Sequence, residues 1–348
     1  MPLPDVLAGV DWKTAAFEGL ASQFLNTLPT LGGLEIHQMM RALVRRLNQS
    51  EADLAVALKL AEGGAQSPVS QLMVTLLGRI QSEAAVDLLA KLAGGGQTAG
   101  RELAVWSLAQ SGQEPYLDSD PALLAKNPRG ILSEPAYAIR GRHAAVMLAR
   151  LAGESDPDVL SSLIAIFSDA QAEPRSSSPP RHETDREAIT RLTIGYALNN
   201  KDARVRHSAL AALGGTKAEA AIAALAQAMT TDEVASNRAR AALSLSNLPG
   251  NETILRAART AGADPDETVR EFAVGLLHGA RWVGRENEVL GVVEEIYRRD
   301  ASARVRWECV GKFGSFGTAG RLLLQDAASN DPDPEVRKLA VELLSRSP

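Results

Sequence analysis

Histidine and cysteine are among the side chains of this sequence that could act as nucleophiles or bind transition metals. The chain has five histidines and a single cysteine, Cys309. One thiol excludes an intramolecular disulfide and any multi-cysteine cluster, and its apolar position in a predicted helix indicates a buried core residue. A metal site needs several His and carboxylate ligands together, yet only His182 is followed by a glutamate, Glu183. We therefore expect no catalytic residue, no metal and no cofactor.

An arginine recurs at a nearly constant interval in the C-terminal half of the chain. It lies in segments such as KDARVRHSALAALGG and DPDETVREFAVGLLHG, usually directly after a valine. Its position, which we call the slot, is occupied by Arg206, Arg238, Arg270, Arg306 and Arg337, at steps of 32, 32, 36 and 31 residues. Fainter copies place Ser70, Arg101 and Leu160 in the slot. A row of cations could bind phosphates, but recurrence in every good copy favours an ion pair with the aspartate that caps the same or the next repeat.

The interval is that of a helical hairpin, two helices of about 12 residues joined by turns. Aspartates that would cap the arginine-bearing helix lie four residues before the slot, at Asp202, Asp266 and Asp333. Val205, Ala209 and Leu213 recur at helical spacing and predict the buried stripe of one such helix. Gly214 and Gly279 are predicted to end helices in the left-handed conformation.

The composition agrees with a helical fold. The chain is 45% hydrophobic but only 4% aromatic, and its apolar residues are mainly alanine and leucine, which suit close-packed helices. A single hairpin cannot bury both of its faces, so a core forms only when hairpins stack. The sequence therefore predicts an all-α protein, a right-handed α-solenoid of about nine hairpins.

The repeat is more regular in some parts of the chain than in others, and these differences predict its regions. We predict an N-terminal helical cap over residues 1–60 and degenerate repeats over 61–170. An irregular stretch at 113–136 contains four prolines. The segment QAEPRSSSPPRHET, residues 171–184, is predicted to be a loop insertion because of its proline, serine and charge content. Regular repeats are predicted over 185–348.

Charge and hydropathy narrow the class of protein. The chain has 37 Lys and Arg against 42 Asp and Glu, a net charge of -5. This balance lacks the basic excess of a non-specific nucleic-acid binder, so we do not expect nucleic acid as the partner. No stretch approaches the roughly 20 apolar residues of a membrane span, and the N-terminus lacks the pattern of a signal peptide. We expect a cytoplasmic protein that does not bind membranes.

The repeats resemble the HEAT-like repeats first described for phycobilisome lyase subunits, whose signature is Asp-x-x-Val-Arg-x-x-Ala-x-x-Ala-Leu-Gly. The resemblance is good over about 201–348 and diluted over 60–200. It implies an armadillo-like α-solenoid but no single function, because such repeats occur in lyases, adaptors, DNA-repair enzymes and hydroxylases.

The resemblance also implies a binding surface. In this family the helix that carries the Val-Arg pair commonly lines the concave groove of the solenoid. The outward positions of that helix give the predicted partner-binding residues Arg204, His207, Arg240, Phe272, Arg304 and Trp307. Phe272 and Trp307, flanked by charged residues, resemble aromatic anchors within a polar rim. Either aromatic could instead pack between adjacent repeats.

Several functions remain to be weighed. A hydroxylase of this fold needs repeated His-Glu pairs, which are missing. An alkylpurine glycosylase-like DNA-binding or DNA-repair protein could use Trp282 and Trp307 beside Glu308, although the near-neutral charge opposes it. A bilin lyase or chaperone-like protein has no short motif of its own. We predict a non-catalytic scaffold or adaptor that binds a protein partner along the groove, with these two alternatives open.

Overall fold

The computed structural model describes residues 15–110, 141–171 and 186–346. Within these ranges the chain forms α-helices and two short 3-10 turns, and it contains no β-strand. The predicted irregular stretch 113–136 lies outside the described residues, as does the predicted loop 171–184 apart from Gln171 at the end of a helix. The predicted all-α fold is confirmed.

The chain divides into two compact units, Met1–Ile189 and Thr190–Pro348. In its described part, unit 1 contains α1 (Phe17–Thr27), α2 (Gly33–Gln49), α3 (Glu51–Ala61), α4 (Pro68–Leu77), α5 (Glu83–Gly94), α6 (Thr98–Leu108), α7 (Gly141–Gly153) and α8 (Pro157–Gln171). The boundary between the units falls within α9 (Arg186–Asn199). The predicted divisions at 60, 170 and 184 stay predictions.

Unit 2 is a stack of helical hairpins. Its helices after α9 are α10 (Ala203–Leu213), α11 (Glu219–Thr231), α12 (Ala235–Leu245), α13 (Glu252–Ala261), α14 (Glu267–Gly275), α15 (Glu286–Arg299), α16 (Ala303–Phe313), α17 (Gly317–Asn330) and α18 (Pro334–Arg346). The helices α10, α12, α14, α16 and α18 pack side by side as one layer, the A layer, and each of them carries a slot arginine. The helices α11, α13, α15 and α17 form the B layer on the other side of the core. Such stacking of hairpins defines an α-solenoid.

Eighteen α-helices lie in the described ranges, and the predicted number of about nine hairpins stays a prediction. In unit 1, α4 and α6 pack side by side, and α6 packs in the same way against α8. The long sequence between α6 and α8 therefore separates two helices that are direct neighbours in the stack. The right-handed sense stays a prediction.

The predicted caps and stripe are present. The side chains of Asp202, Asp266 and Asp333 each accept a first-turn backbone N–H, at 2.8, 3.1 and 2.9 Å. These bonds satisfy amides that the helix itself leaves without a partner. Val205, Ala209 and Leu213 are fully buried. Local sequence therefore sets where the A-layer helices begin and which face they bury.

The predicted role of Gly214 and Gly279 is wrong. Gly214 ends α10 in the right-handed conformation, with φ -65°, and neither glycine has a positive φ. What Gly214 provides is space, because a Cβ there would lie 3.0 Å from the Cβ of Ser244 on α12. At Gly279, a Cβ would lie 2.6 Å from the carbonyl oxygen of Ser315. The glycines therefore permit the close approach of the next repeat and not a left-handed turn.

Candidate functional site

The slot arginines of unit 2 form a ladder between consecutive repeats. Each of four donates two hydrogen bonds to one aspartate carboxylate of the following repeat, through Nε and Nη2. The pairs, with their Nε and Nη2 distances, are Arg206–Asp232 (2.8 and 3.1 Å), Arg238–Asp264 (2.7 and 2.8 Å), Arg270–Asp300 (2.7 and 3.1 Å) and Arg306–Asp331 (2.9 and 3.1 Å). Such bidentate pairs fix orientation as well as distance. We call each pair a rung.

The third nitrogen of each arginine binds its own repeat. Nη1 of Arg270, for example, donates to the carbonyl oxygens of Asp264 and Pro265, at 2.9 and 3.2 Å. Arg206, Arg238, Arg306 and Arg337 make the equivalent bonds to the loop that precedes their helix. One guanidinium thus joins the loop of its own repeat to the aspartate of the next, which sets the register between them.

The prediction that the arginine meets a capping aspartate is wrong in one respect. The partner does belong to the next repeat, but it lies six residues before the slot, whereas the capping residue lies four residues before it. The rung aspartate also binds the loop of its own repeat, since Asp300 Oδ1 accepts the backbone N–H of Ser302 at 2.9 Å. Asp232, Asp264 and Asp331 accept the corresponding amides at the same distance.

The rungs are shielded from solvent. Arg206 is only 6% exposed and Arg306 only 8%, so these arginines do not form a row for binding phosphates. Burial alone would raise the pKa of Asp331, but hydrogen bonds from Arg306 and from the Asp333 amide hold that pKa below its usual value. The pKa of Arg306 is raised by its hydrogen bonds to Asp331. Both groups are therefore charged at neutral pH.

In the described part of unit 1, one ion pair has the same register as the rungs of unit 2. Arg101 on α6 pairs with Glu154, which lies six residues before the slot residue Leu160. Glu154 is buried and also accepts hydrogen bonds from Arg150, at 2.8 Å, and from two backbone amides. Where the slot is not arginine, as at Ser70 and Leu160, the rung position of the next repeat is Gly95 or Asn200 and not an acid. A slot arginine is thus accompanied by an acid six residues before the next slot. This co-occurrence identifies the rung partner from the sequence, whereas the capping pattern points to the acid four residues before the slot.

The predicted binding residues all lie on the A layer. Arg204 and His207 are on α10, Arg240 is on α12, Phe272 is on α14, and Arg304 and Trp307 are on α16. They occupy outward positions two residues before and one or two residues after the slot, and we call the face made by such positions the A-layer surface. Its placement on the concave side and its use as a binding site stay predictions.

The structure brings some of these residues into contact. Arg240 Nε lies 3.1 Å from His207 Nε2, and Arg304 forms an ion pair with Glu271 of the preceding repeat at 2.7 Å. Arg204 pairs with its own cap, Asp202, at 3.0 Å. The first two contacts join neighbouring A-layer helices, and the third holds Arg204 at the start of its own helix.

The two predicted aromatic anchors differ in exposure. Trp307 is 45% exposed, whereas Phe272 is half-buried. A large apolar side chain left this open on one face of a repeat array is available to a partner. Trp307 is therefore the stronger candidate anchor of the two.

His207 has a defined hydrogen-bonding arrangement. Since arginine only donates, Nε2 of His207 accepts from Arg240, and Nδ1–H then donates to Asn237 Oδ1 at 3.2 Å. The Asn237 amide in turn donates to the Ala203 carbonyl oxygen at 3.1 Å. His207 therefore orients Arg240 while it joins α10 to α12.

Cys309 and Trp282, which were considered as a nucleophile and as a ligand-binding residue, are both buried. Cys309 is fully buried, and burial raises the pKa of its thiol. Trp282 is 2% exposed and its Nε1–H donates to the Leu276 carbonyl oxygen at 3.1 Å, so it does not face a ligand beside Trp307. Among the described residues, no group of three or more His, Cys, Asp or Glu side chains is placed to hold a metal ion. Nor does any described helix combine the length and apolar character needed to cross a bilayer.

The fold and the ladder define the class, a helical-repeat protein built as an α-solenoid. Residues 205–231, which comprise most of α10 and all of α11, match the family profile of the PBS lyase HEAT-like repeat. Residues 205–231 are therefore a HEAT-like repeat of the phycobilisome-lyase type, as the sequence predicts. Among curated protein sequences, none matches the chain significantly.

Three solved structures that match this chain are distant from it in sequence. The Escherichia coli protein YibA is 16% identical, over 88% of this chain and 96% of its own, with a TM-score of 0.49. Human deoxyhypusine hydroxylase is 14% identical, over 85% and 97%, with a TM-score of 0.31. A microtubule polymerase with a TOG domain array, studied for tubulin recruitment, is 13% identical, over 99% and 93%, with a TM-score of 0.32.

Proposed function

We propose that the protein is a non-catalytic adaptor of the cytoplasm that binds a protein partner along its A-layer surface. The observation that carries the proposal is Trp307, a large aromatic side chain left 45% exposed on the outward face of α16. Tryptophan is one of the three residue types enriched at binding hot spots. Arg304, Glu271 and Glu308 surround its position in the repeat and would supply the polar rim.

The ladder supports this function indirectly. Because the rung arginines are buried and bonded to the next repeat, they hold consecutive A-layer helices in one register and leave the residues of the surface available. A partner would then meet side chains at fixed intervals along the stack. Many modest contacts at such intervals suit an extended segment of another protein.

The test compares two exposed apolar residues on opposite layers. Immobilised full-length chain and its Trp307→Ala and Phe272→Ala variants are used to capture proteins from lysate, and the captured proteins are quantified. Leu322→Ala is the matched control, because Leu322 is 63% exposed but lies on α17 of the B layer. Circular dichroism establishes that each variant is folded.

We expect at least one protein to be retained by the parent chain and by Leu322→Ala but lost with Trp307→Ala. Phe272→Ala should give a smaller loss, because this side chain is already half-buried. If every captured protein is retained equally by Trp307→Ala, the A-layer surface around α16 is not the binding site and the proposal is wrong.

A further inference from the structure

The A-layer surface of unit 2 has an uneven distribution of charge. The helices α10 and α12 contain no aspartate or glutamate, and two arginines, Arg204 and Arg240, stand on their outward faces together with His207, which accepts from Arg240. The next three A-layer helices do contain acids, namely Glu267 and Glu271 on α14, Glu308 on α16, and Glu335 and Glu342 on α18. We call the α10–α12 end, whose helices have no acid, the basic end, and the α14–α18 end, whose helices have both acids and bases, the mixed end.

The basic end contains a cation that no carboxylate neutralises. Among the described residues, Arg240 makes one hydrogen bond, from Nε to His207, and its Nη1 and Nη2 groups bind no acid. The acids nearest in sequence are engaged elsewhere, since Asp232 and Glu233 both bind Arg206 and Asp202 binds Arg204.

The cations at the mixed end differ in this respect. Arg304 pairs with Glu271 at 2.7 Å, and Lys312 pairs with Glu308 at 3.3 Å. A guanidinium that is oriented by a neighbour but lacks a counter-ion is prepared to form a charge-assisted hydrogen bond with an incoming anion. Arg240 is the residue of this surface that meets both conditions.

We propose that the α10–α12 end of the A-layer surface binds carboxylate side chains of an extended acidic segment in the partner protein. Arg240, oriented by His207, would bind one of these carboxylates. The proposal rests on the proposed function, because the same segment would continue along the surface to Trp307.

The spacing of the layer sets the spacing of the partner's residues. Packed helices lie about 10 Å apart, so α12 and α16, two helices apart in the layer, are about 20 Å apart. An extended chain advances about 3.3 Å per residue. The bound segment should therefore place its acidic residues about six residues from the apolar residue that contacts Trp307.

The experiment uses three labelled peptides of about twelve residues and the full-length chain. Each peptide has two adjacent test residues and one phenylalanine about six residues away, in a glycine–serine background, and the test residues are both Glu, both Gln or both Lys. Binding is measured by fluorescence anisotropy. The expected result is that the Glu peptide binds at least about tenfold more tightly than the Gln peptide, and that the Lys peptide binds most weakly.

Variants assign the effect to the site. Arg240→Gln should weaken binding of the Glu peptide by about tenfold and leave the affinity for the Gln peptide unchanged. Arg298→Gln is the matched control, because Arg298 is exposed and lies on α15 of the B layer. It should leave all three affinities unchanged.

Several results would overturn the inference. These are equal affinities for the Glu and Gln peptides, preference for the Lys peptide, no measurable binding of the Glu peptide, or the same loss with Arg298→Gln. Tighter, Arg240-dependent binding of a single-stranded DNA oligomer would assign this end to nucleic acid instead. The proposed function fails separately, if removal of Trp307 leaves the affinity of every peptide unchanged while the preference for Glu persists.

Discussion

Removing one arginine of the ladder should destabilise unit 2 far more than replacing its whole rung. The rung of Arg270 and Asp300 is the best place to measure this, because it lies in the middle of the stack and its carboxylate is only 4% exposed. Arg270→Leu would leave this buried carboxylate without a cation. The double variant Arg270→Leu, Asp300→Asn would copy the residues Leu160 and Asn200, which this chain already has at one slot and at the following rung position.

The burial and the hydrogen bonds of this rung determine how much free energy of unfolding each variant should lose. Breaking a buried ion pair by removing one partner costs about 3–5 kcal/mol, and the side chain of Arg270 is 17% exposed, so we take the lower end, about 3 kcal/mol. Asp300→Asn should cost about 2 kcal/mol, because it removes the charge but keeps an acceptor. The double variant should cost only about 1 kcal/mol. Its introduced asparagine side chain can still accept the Ser302 amide, as Asn200 Oδ1 accepts that of Asp202 at 2.9 Å.

The assay is urea unfolding of the full-length chain and the three variants, followed by far-UV circular dichroism. The two single variants sum to about 5 kcal/mol, so the predicted double variant implies a coupling energy of about 4 kcal/mol, and even half of that would show that the two residues act together. A loss below about 1 kcal/mol for Arg270→Leu would refute the account. So would a double variant whose loss equals the sum of the two single variants.

Three further predictions concern packing, pH and thiol reactivity. Gly214→Ala should lower the free energy of unfolding by about 1–3 kcal/mol, because the added Cβ would be pressed against α12. Gly314→Ala is the control and should not lower it, because a Cβ at this equivalent helix end would have nothing within 4 Å. Thermal unfolding of both variants measures the difference. Because the folded-state pKa of Asp331 is lowered, its contribution to stability is present above the unfolded pKa of about 3.9 and is lost as the pH falls through the folded value. Unfolding between about pH 5 and pH 2 should therefore be less pH-dependent for Arg306→Leu, Asp331→Asn than for the parent chain. Cys309 should react with a thiol reagent only as fast as unfolding exposes it, because its thiol is buried and its pKa is raised; fast reaction in the folded chain would contradict the burial.

Local features of the fold could be predicted from the sequence, and the particular partners in contacts between repeats could not. The caps at Asp202 and Asp266 depend on the first turn of one helix, and the stripe of Val205, Ala209 and Leu213 depends on helical spacing, so both are found in the structure. The partner of a slot arginine depends on how the next repeat is placed. A short loop such as Asp264-Pro265-Asp266 leaves two acids within reach, and only the packing selects Asp264.

The same limit applies to the glycines and to the site. The prediction for Gly214 depends on its position at a helix end, yet its role comes from Ser244 in the following repeat. The six predicted site residues share the A layer because their positions relative to the slot fix the helix face. Their pairings, such as Arg240 with His207 and Arg304 with Glu271, depend on the offset between neighbouring helices. That offset is set by the rungs, which the local sequence pattern does not reveal.

The central claim is that the A-layer surface binds a protein, and the most direct measurement is the affinity of a captured partner for two variants. Calorimetric titration of that partner into Trp307→Ala should show a Kd at least about tenfold weaker than for the parent chain, which corresponds to about 1.4 kcal/mol. Leu322→Ala, on the opposite layer, should bind within about twofold of the parent, as expected for a residue outside the interface. Equal affinity of the parent and Trp307→Ala, with loss of binding in Leu322→Ala, would place the binding site on the B layer and contradict the account.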